Sequence, residues 1–152
     1  MIRALSIVAG VAGVAGVAGV AGVVLGSAGC AAALHEPRSV DKLGGNAQGR
    51  GADELMRDAD AAWARHHQPG KAQAAQELYV NAAAADAKRV DGLLGAMRAM
   101  TYRIEHERGV NKEELAVKEV ELGQHCQRRQ PQNVECDYRL AIALGQQARE
   151  KT

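Results

Sequence analysis

The chain has no phenylalanine, one tryptophan, three tyrosines and three prolines in 152 residues. Strands and sandwich cores draw on aromatic and β-branched side chains, so this scarcity argues against an all-β fold. Few prolines leave long stretches open to helix. Hydroxyl nucleophiles are also scarce. Beyond residue 30 the hydroxyl groups are those of Ser39, Thr101, Thr152 and the three tyrosines. No Ser-His-Asp set can be assembled from them, so the expectation is that the protein is not an enzyme. An excess of charge of one sign is missing too. Without Arg3, 18 basic residues face 18 acidic ones. A nucleic-acid surface needs a basic stripe, so no nucleic-acid partner is expected. No cofactor is expected either. "GGNAQGRG" has the glycines of a phosphate loop but not its Lys-Ser/Thr pair, and no strand precedes it.

The first thirty residues read "MIRALSIVAGVAGVAGVAGVAGVVLGSAGC", with five Val-Ala-Gly triplets from Val8 to Gly22. Glycine at every third position is also the collagen period, but collagen needs abundant proline and this run has none. The run is uncharged and long enough to span a bilayer. Much of it is Gly and Ala, however, which bring little transfer energy, and Gly weakens a helix by about 1 kcal/mol relative to Ala. No Lys or Arg cluster follows as a stop-transfer flank. Arg3, an apolar stretch and small residues before a possible cut fit a secretory signal better. "GSAGC" resembles the lipobox of bacterial lipoproteins, with Ser27 where the common pattern has Leu. That resemblance implies removal of residues 1–29 and lipidation of Cys30. Plain secretion and an uncleaved anchor are the alternatives. Several acyl chains on one cysteine anchor a protein stably. Ala31 stands where Asp often signals inner-membrane retention, so the periplasmic face of the outer membrane is the expected location.

Residues 30–50 show no apolar period and read as a flexible tether. Helical periodicity begins near Ala52 and organises residues 51–150 into five helices of about 15–17 residues. The first carries Leu55, Ala59, Ala62, Trp63 and His66 on one face, and "HQPGK" stops it. The second carries Ala75, Leu78, Tyr79 and Ala82. The third has the clearest stripe: Val90, Leu93, Leu94, Met97, Met100 and Ile104. A turn at Gly109 follows, with Asn111 as N-cap and Glu114 three residues on. The fourth holds Leu115, Val120, Leu122 and Cys126, and "RRQPQN" breaks it at Pro131. The fifth runs from about Val134 to Arg149 with Tyr138, Leu140, Ala141, Leu144 and Ala148. Short turns make neighbours antiparallel.

Cys126 and Cys136 form an even pair, which in an oxidising periplasm reads as a disulfide. Free thiols, or a metal site with His125, are the alternatives, although this spacing matches no zinc pattern. No metal is expected elsewhere. His66 and His67 point about 100° apart on a helix, which hinders joint ligation. The acidic runs around Glu105, Glu107, Glu113, Glu114, Glu119 and Glu121, interleaved with Lys112 and Lys118, read as solvated faces.

"AQAAQELYVNAAAADAKRV" places Ala75, Tyr79 and Ala82 at steps of four and three. This resembles the second helix of a tetratricopeptide repeat, whose period of about 34 residues sets Ala59 and Trp63 in a first helix and Leu93, Ala96 and Met97 in the next. "RRQPQNVECDYRLAIALG" supplies a closing helix after Pro131. The expected fold is therefore all-α: antiparallel pairs stacked as a short right-handed solenoid. A lipobox followed by "ADAAWARHHQPGKAQAAQELYVNAAAAD" and "PQNVECDYRLAIALG" also resembles the T-component family of TRAP transporters. That resemblance implies a periplasmic lipoprotein that forms a homo-oligomer and engages a solute-binding protein. Stacked helix pairs leave a concave face lined by the first helix of each pair. Arg57, Arg65, Arg98, Tyr102, Arg139 and Gln146 are the expected lining, for an envelope protein as partner. A purely structural lipoprotein, with no discrete partner, is the remaining alternative.

Overall fold

The computed structural model describes residues 35–44 and 49–151. They form six helices, and no strand occurs among the described residues. These are α1 (Val40–Leu43), α2 (Ala52–Trp63), α3 (Lys71–Ala85), α4 (Asp91–His106), α5 (Lys112–Arg129) and α6 (Val134–Glu150). Each long helix packs chiefly on its chain neighbours, and α6 also touches α4. None is long and apolar enough to cross a membrane. The signal segment, Cys30 and Thr152 lie outside the described residues.

The helix ends follow local chemistry. The last turn of α2 tightens, because the backbone N–H groups of Arg65 and His66 donate to the carbonyls three residues back. The helix therefore ends at Trp63, short of the expected His66. Gly70 then adopts φ 73°, a left-handed conformation that glycine takes without strain, and the chain reverses into α3. Asn111 Oδ1 accepts from the Glu114 N–H at 3.1 Å and caps α5, as its sequence implies. Asn133 does the same for α6 through the Glu135 N–H, at 3.0 Å.

Small residues set the closeness of the packing. Ala72, Ala75, Ala96, Ala99 and Ala116 are fully buried. A Cβ on Gly92 would stand 2.7 Å from the Tyr79 carbonyl oxygen and 2.9 Å from the Ala83 nitrogen. At that point α3 and α4 approach too closely for any side chain. The stripe of α4 is the centre of the core, with Leu93, Met97, Met100 and Ile104 at most 1% exposed.

Two features correct the sequence reading. Residues 35–44 are not a free linker: α1 lays Val40 and Leu43 into the core against α3 and α5. The side chain of Arg38 grips Glu121 through two nitrogens, at 2.9 and 2.7 Å. Arg128 likewise holds Glu36, and His125 Nε2 donates to the Arg38 carbonyl at 2.7 Å. Residues 45–48 and 30–34 of the expected tether are outside the described residues. The second correction concerns Glu119, which is not on a solvated face but is 0% exposed.

Cys126 and Cys136 form a disulfide that ties the last turn of α5 to the first turn of α6, with the Cα atoms 5.4 Å apart. Both cysteines are fully buried. The closed loop is short, so the chain-entropy contribution is about 2–3 kcal/mol. Replacing both cysteines with alanine is expected to lower stability by about that amount in urea denaturation. Reductant should move the wild type equally and leave the variant unmoved.

Candidate partner-binding groove

A groove of about 220 Å³ opens between α2, α4 and α6. Met56 and Asp60 enter it from α2; Asp91, Leu94, Gly95 and Arg98 from α4; Glu135 and Arg139 from α6, with Tyr79 of α3 at its base. Helical spacing explains the convergence. On α4, positions 91, 94, 95 and 98 share a face, as positions 135 and 139 do on α6.

Arg98 organises one wall. Its guanidinium carbon sits 4.7 Å from the centroid of the Trp63 ring, a cation–π geometry. Its Nη2 donates to the Tyr79 hydroxyl oxygen at 3.0 Å, and that hydroxyl donates to Asp60 Oδ1 at 2.5 Å. Asp60, Tyr79 and Arg98 thus link α2, α3 and α4 through one polar chain. Burial, then the bond to Asp60, pushes the Tyr79 hydroxyl pKa up to about 12. Arg98 Nε is buried with no hydrogen-bond partner. On the opposite wall Arg139 pairs with Glu135 at 2.8 Å. At the rim Arg89 clamps Asp91 and also pairs with Asp53. The Arg89 guanidinium holds the Asp91 carboxyl below the usual carboxylate range.

Beside the groove lies a ring cluster. His66 stacks on Trp63 at 4.4 Å between centroids, and Tyr102 stands edge-on to His66 at 4.7 Å. His106 approaches Tyr102 at 4.7 Å. Among the described residues no group of three or more His, Cys, Asp or Glu side chains is placed to hold a metal.

Of the six residues expected to line a partner surface, the structure brings Arg98 and Arg139 to one groove. Tyr102 reaches it only through the ring cluster, by way of Trp63. Arg57 is exposed on α2 away from the groove lining, and Arg65 lies past the end of α2 with Nε donating to the Ala61 carbonyl at 3.2 Å. Gln146 is a correction: it is 4% exposed, and neither of its amide atoms has a hydrogen-bond partner. No protein-family model matches the chain, and neither the curated proteins nor the solved structures contain a match.

Sequence reasoning missed Asp60 and the hydroxyl role of Tyr79. It also missed Arg129, whose Nη1 donates to the backbone carbonyls of Ala83, Asp86 and Arg89 and so closes the α3–α4 turn. Only three-dimensional proximity brings an arginine to carbonyls forty residues away. Asp60 did carry a signal: it lies three residues before Trp63, on the same side of α2.

Proposed function

We propose that the chain is a lipid-anchored adaptor on the periplasmic face of the outer membrane, with Cys30 acylated after removal of residues 1–29. In this reading α2–α3 and α4–α5 are two tetratricopeptide-like pairs of a short right-handed solenoid, and α6 closes it. The groove captures an extended segment of another envelope protein. The observation that carries the reading is the convergence of Arg98 and Arg139 on one groove, beside Met56 and Leu94. Two cations, carboxylates and apolar side chains in one trough suit a peptide, which offers all three kinds of complement. The groove's charged groups are engaged with one another, which suits binding rather than proton transfer.

The test is a crosslinked pull-down of the full-length tagged protein from native membranes, with identification of the captured proteins and of the bait's own N-terminus. Leu94→Arg and Arg139→Glu are expected to lower recovery of the partner by about tenfold with the domain still folded, the range of a small hot spot. Arg98 is a poor first choice, because its ties to Trp63 and Tyr79 make it structural as well; Arg98→Lys keeps the charge and serves as its control. Recovery unchanged in both groove variants overturns the reading. A solute-binding protein as the captured partner would assign the chain to transport. An unprocessed Met1 terminus would refute the lipid anchor.

A further inference from the structure

Among the described residues, the outer face of α6 is an apolar helix face left exposed. Val134 is 78% exposed and Tyr138 57% exposed, the large apolar side chains left in water among the described residues. Ala141, Gly145 and Ala148 continue the same line and are exposed too. A Cβ built on Gly145 would meet no atom within 4 Å. The steps of four, three, four and three are those of a heptad seam.

The columns on either side of this seam are ordered. One runs Glu135, Ile142, Arg149; the other runs Asp137, Leu144, Lys151. Each begins with an acid, passes an apolar residue and ends with a base. A column in that order is complementary to its own reverse. A second α6 laid antiparallel sets Glu135 against Arg149 of the other copy, and Asp137 against that copy's Lys151. In the same register Tyr138 fills the space beside Ala148, and Ala141 meets Gly145. The two mid-column residues, Ile142 and Leu144, meet their own copies. A parallel pairing would instead set acid on acid and base on base, with the helix dipoles aligned. A carboxylate accepts several hydrogen bonds, so Asp137 can keep the one it accepts from Gln127 at 3.0 Å and Glu135 the one it accepts from Arg139 at 2.8 Å, while Arg149, which also contacts Glu150 at 3.5 Å, has further N–H donors to offer.

We propose that the outer face of α6 is a two-fold interface that pairs antiparallel with α6 of a second copy of this chain. Such an interface is isologous and closes at the dimer. A seam one helix long buries less than the roughly 800 Å² per partner of a standard interface, so the association is weak and concentration-dependent. The pairing shares only Glu135 with the groove lining, and its test uses residues outside the groove.

The experiment mixes isotopically light and heavy full-length protein in detergent at about 100 μM, a range suited to a small interface. A zero-length carbodiimide then joins carboxylates to amines in contact. The expected product is an isotopically mixed peptide pair linking Asp137 to Lys151. Within one helix these residues lie about 21 Å apart, beyond the reach of such a link. In sedimentation, Asp137→Lys is expected to cut the dimer fraction by about tenfold, as removal of a complementary charge pair does at an interface. The double reversal Asp137→Lys/Lys151→Asp is expected to restore both dimer and crosslink. A monomer throughout the concentration range, a larger ring, or a dimer indifferent to both reversals overturns the proposal.

Discussion

Tyr79→Ala is expected to lower stability by about 4 kcal/mol in chemical denaturation, and Tyr79→Phe by only about 1 kcal/mol. The ring is 1% exposed and lies where α3 meets α4. Its space is bounded by glycine: a Cβ on Gly95 would stand 2.6–2.8 Å from three ring carbons. With the ring removed, Gly95 has no side chain to move into the gap, and a cavity remains. Cavities that cannot collapse fall at the upper end of the measured costs. The hydroxyl adds a polar component, because it both accepts from Arg98 and donates to Asp60. Arg98 Nε is already without a partner, so losing the hydroxyl leaves its guanidinium poorer still. Phenylalanine keeps the volume and loses only these bonds, which sets the smaller figure. Equal losses for the two variants would place the energy in the hydroxyl and contradict the packing argument. A loss below about 1 kcal/mol for alanine would mean that the α3–α4 contact collapses to fill the site.

The helices were legible because their apolar residues recur at three and four. The stripe of α4 is the plainest case, and Leu93, Met97, Met100 and Ile104 all reach the core. Four residues carry no period, so α1 is not legible as a helix in the sequence, although Val40 and Leu43 stand three apart. Gln146 and Glu119 failed for a different reason. Both sit on apolar stripes, Gln146 three residues after Ala143 and Glu119 between Leu115 and Leu122, but a polar side chain at such a position carries no sequence signal of burial. On α6 apolar residues surround the helix. Leu140 is buried, whereas Tyr138, Ala141 and Ala148 are exposed, and period alone does not choose between two such faces. The groove depends on how three helices separated in sequence are set side by side. Arg98 and Arg139 were reachable only through the repeat frame.

Glu119 should make the domain lose stability as pH rises. Its side chain lies between α5 and α4, where Oε1 accepts from the Thr101 hydroxyl at 2.6 Å and buried Oε2 has no partner. Burial pushes the carboxyl pKa from 4.5 up to about 7. The Thr101 bond and the charge of Arg139 oppose that rise, and the charge of Glu105 adds to it. Between these two values the folded chain keeps a proton that the unfolded chain releases. Stability therefore falls with rising pH across that window. The contribution is complete below the unfolded value and is lost once the folded value is passed. The size is on the order of 3 kcal/mol. Glutamine has the same shape and cannot ionise. Glu119→Gln is thus expected to match the wild type near pH 4.5 and to exceed it by that order near pH 8, in urea denaturation at both values. The difference between the two proteins isolates Glu119 from every other titrating group, the histidines included. A wild type more stable than the variant near pH 8 would show that Arg139 and Thr101 hold the carboxylate ionised despite burial. In that case the α4–α5–α6 interface encloses an ion pair rather than a neutral acid.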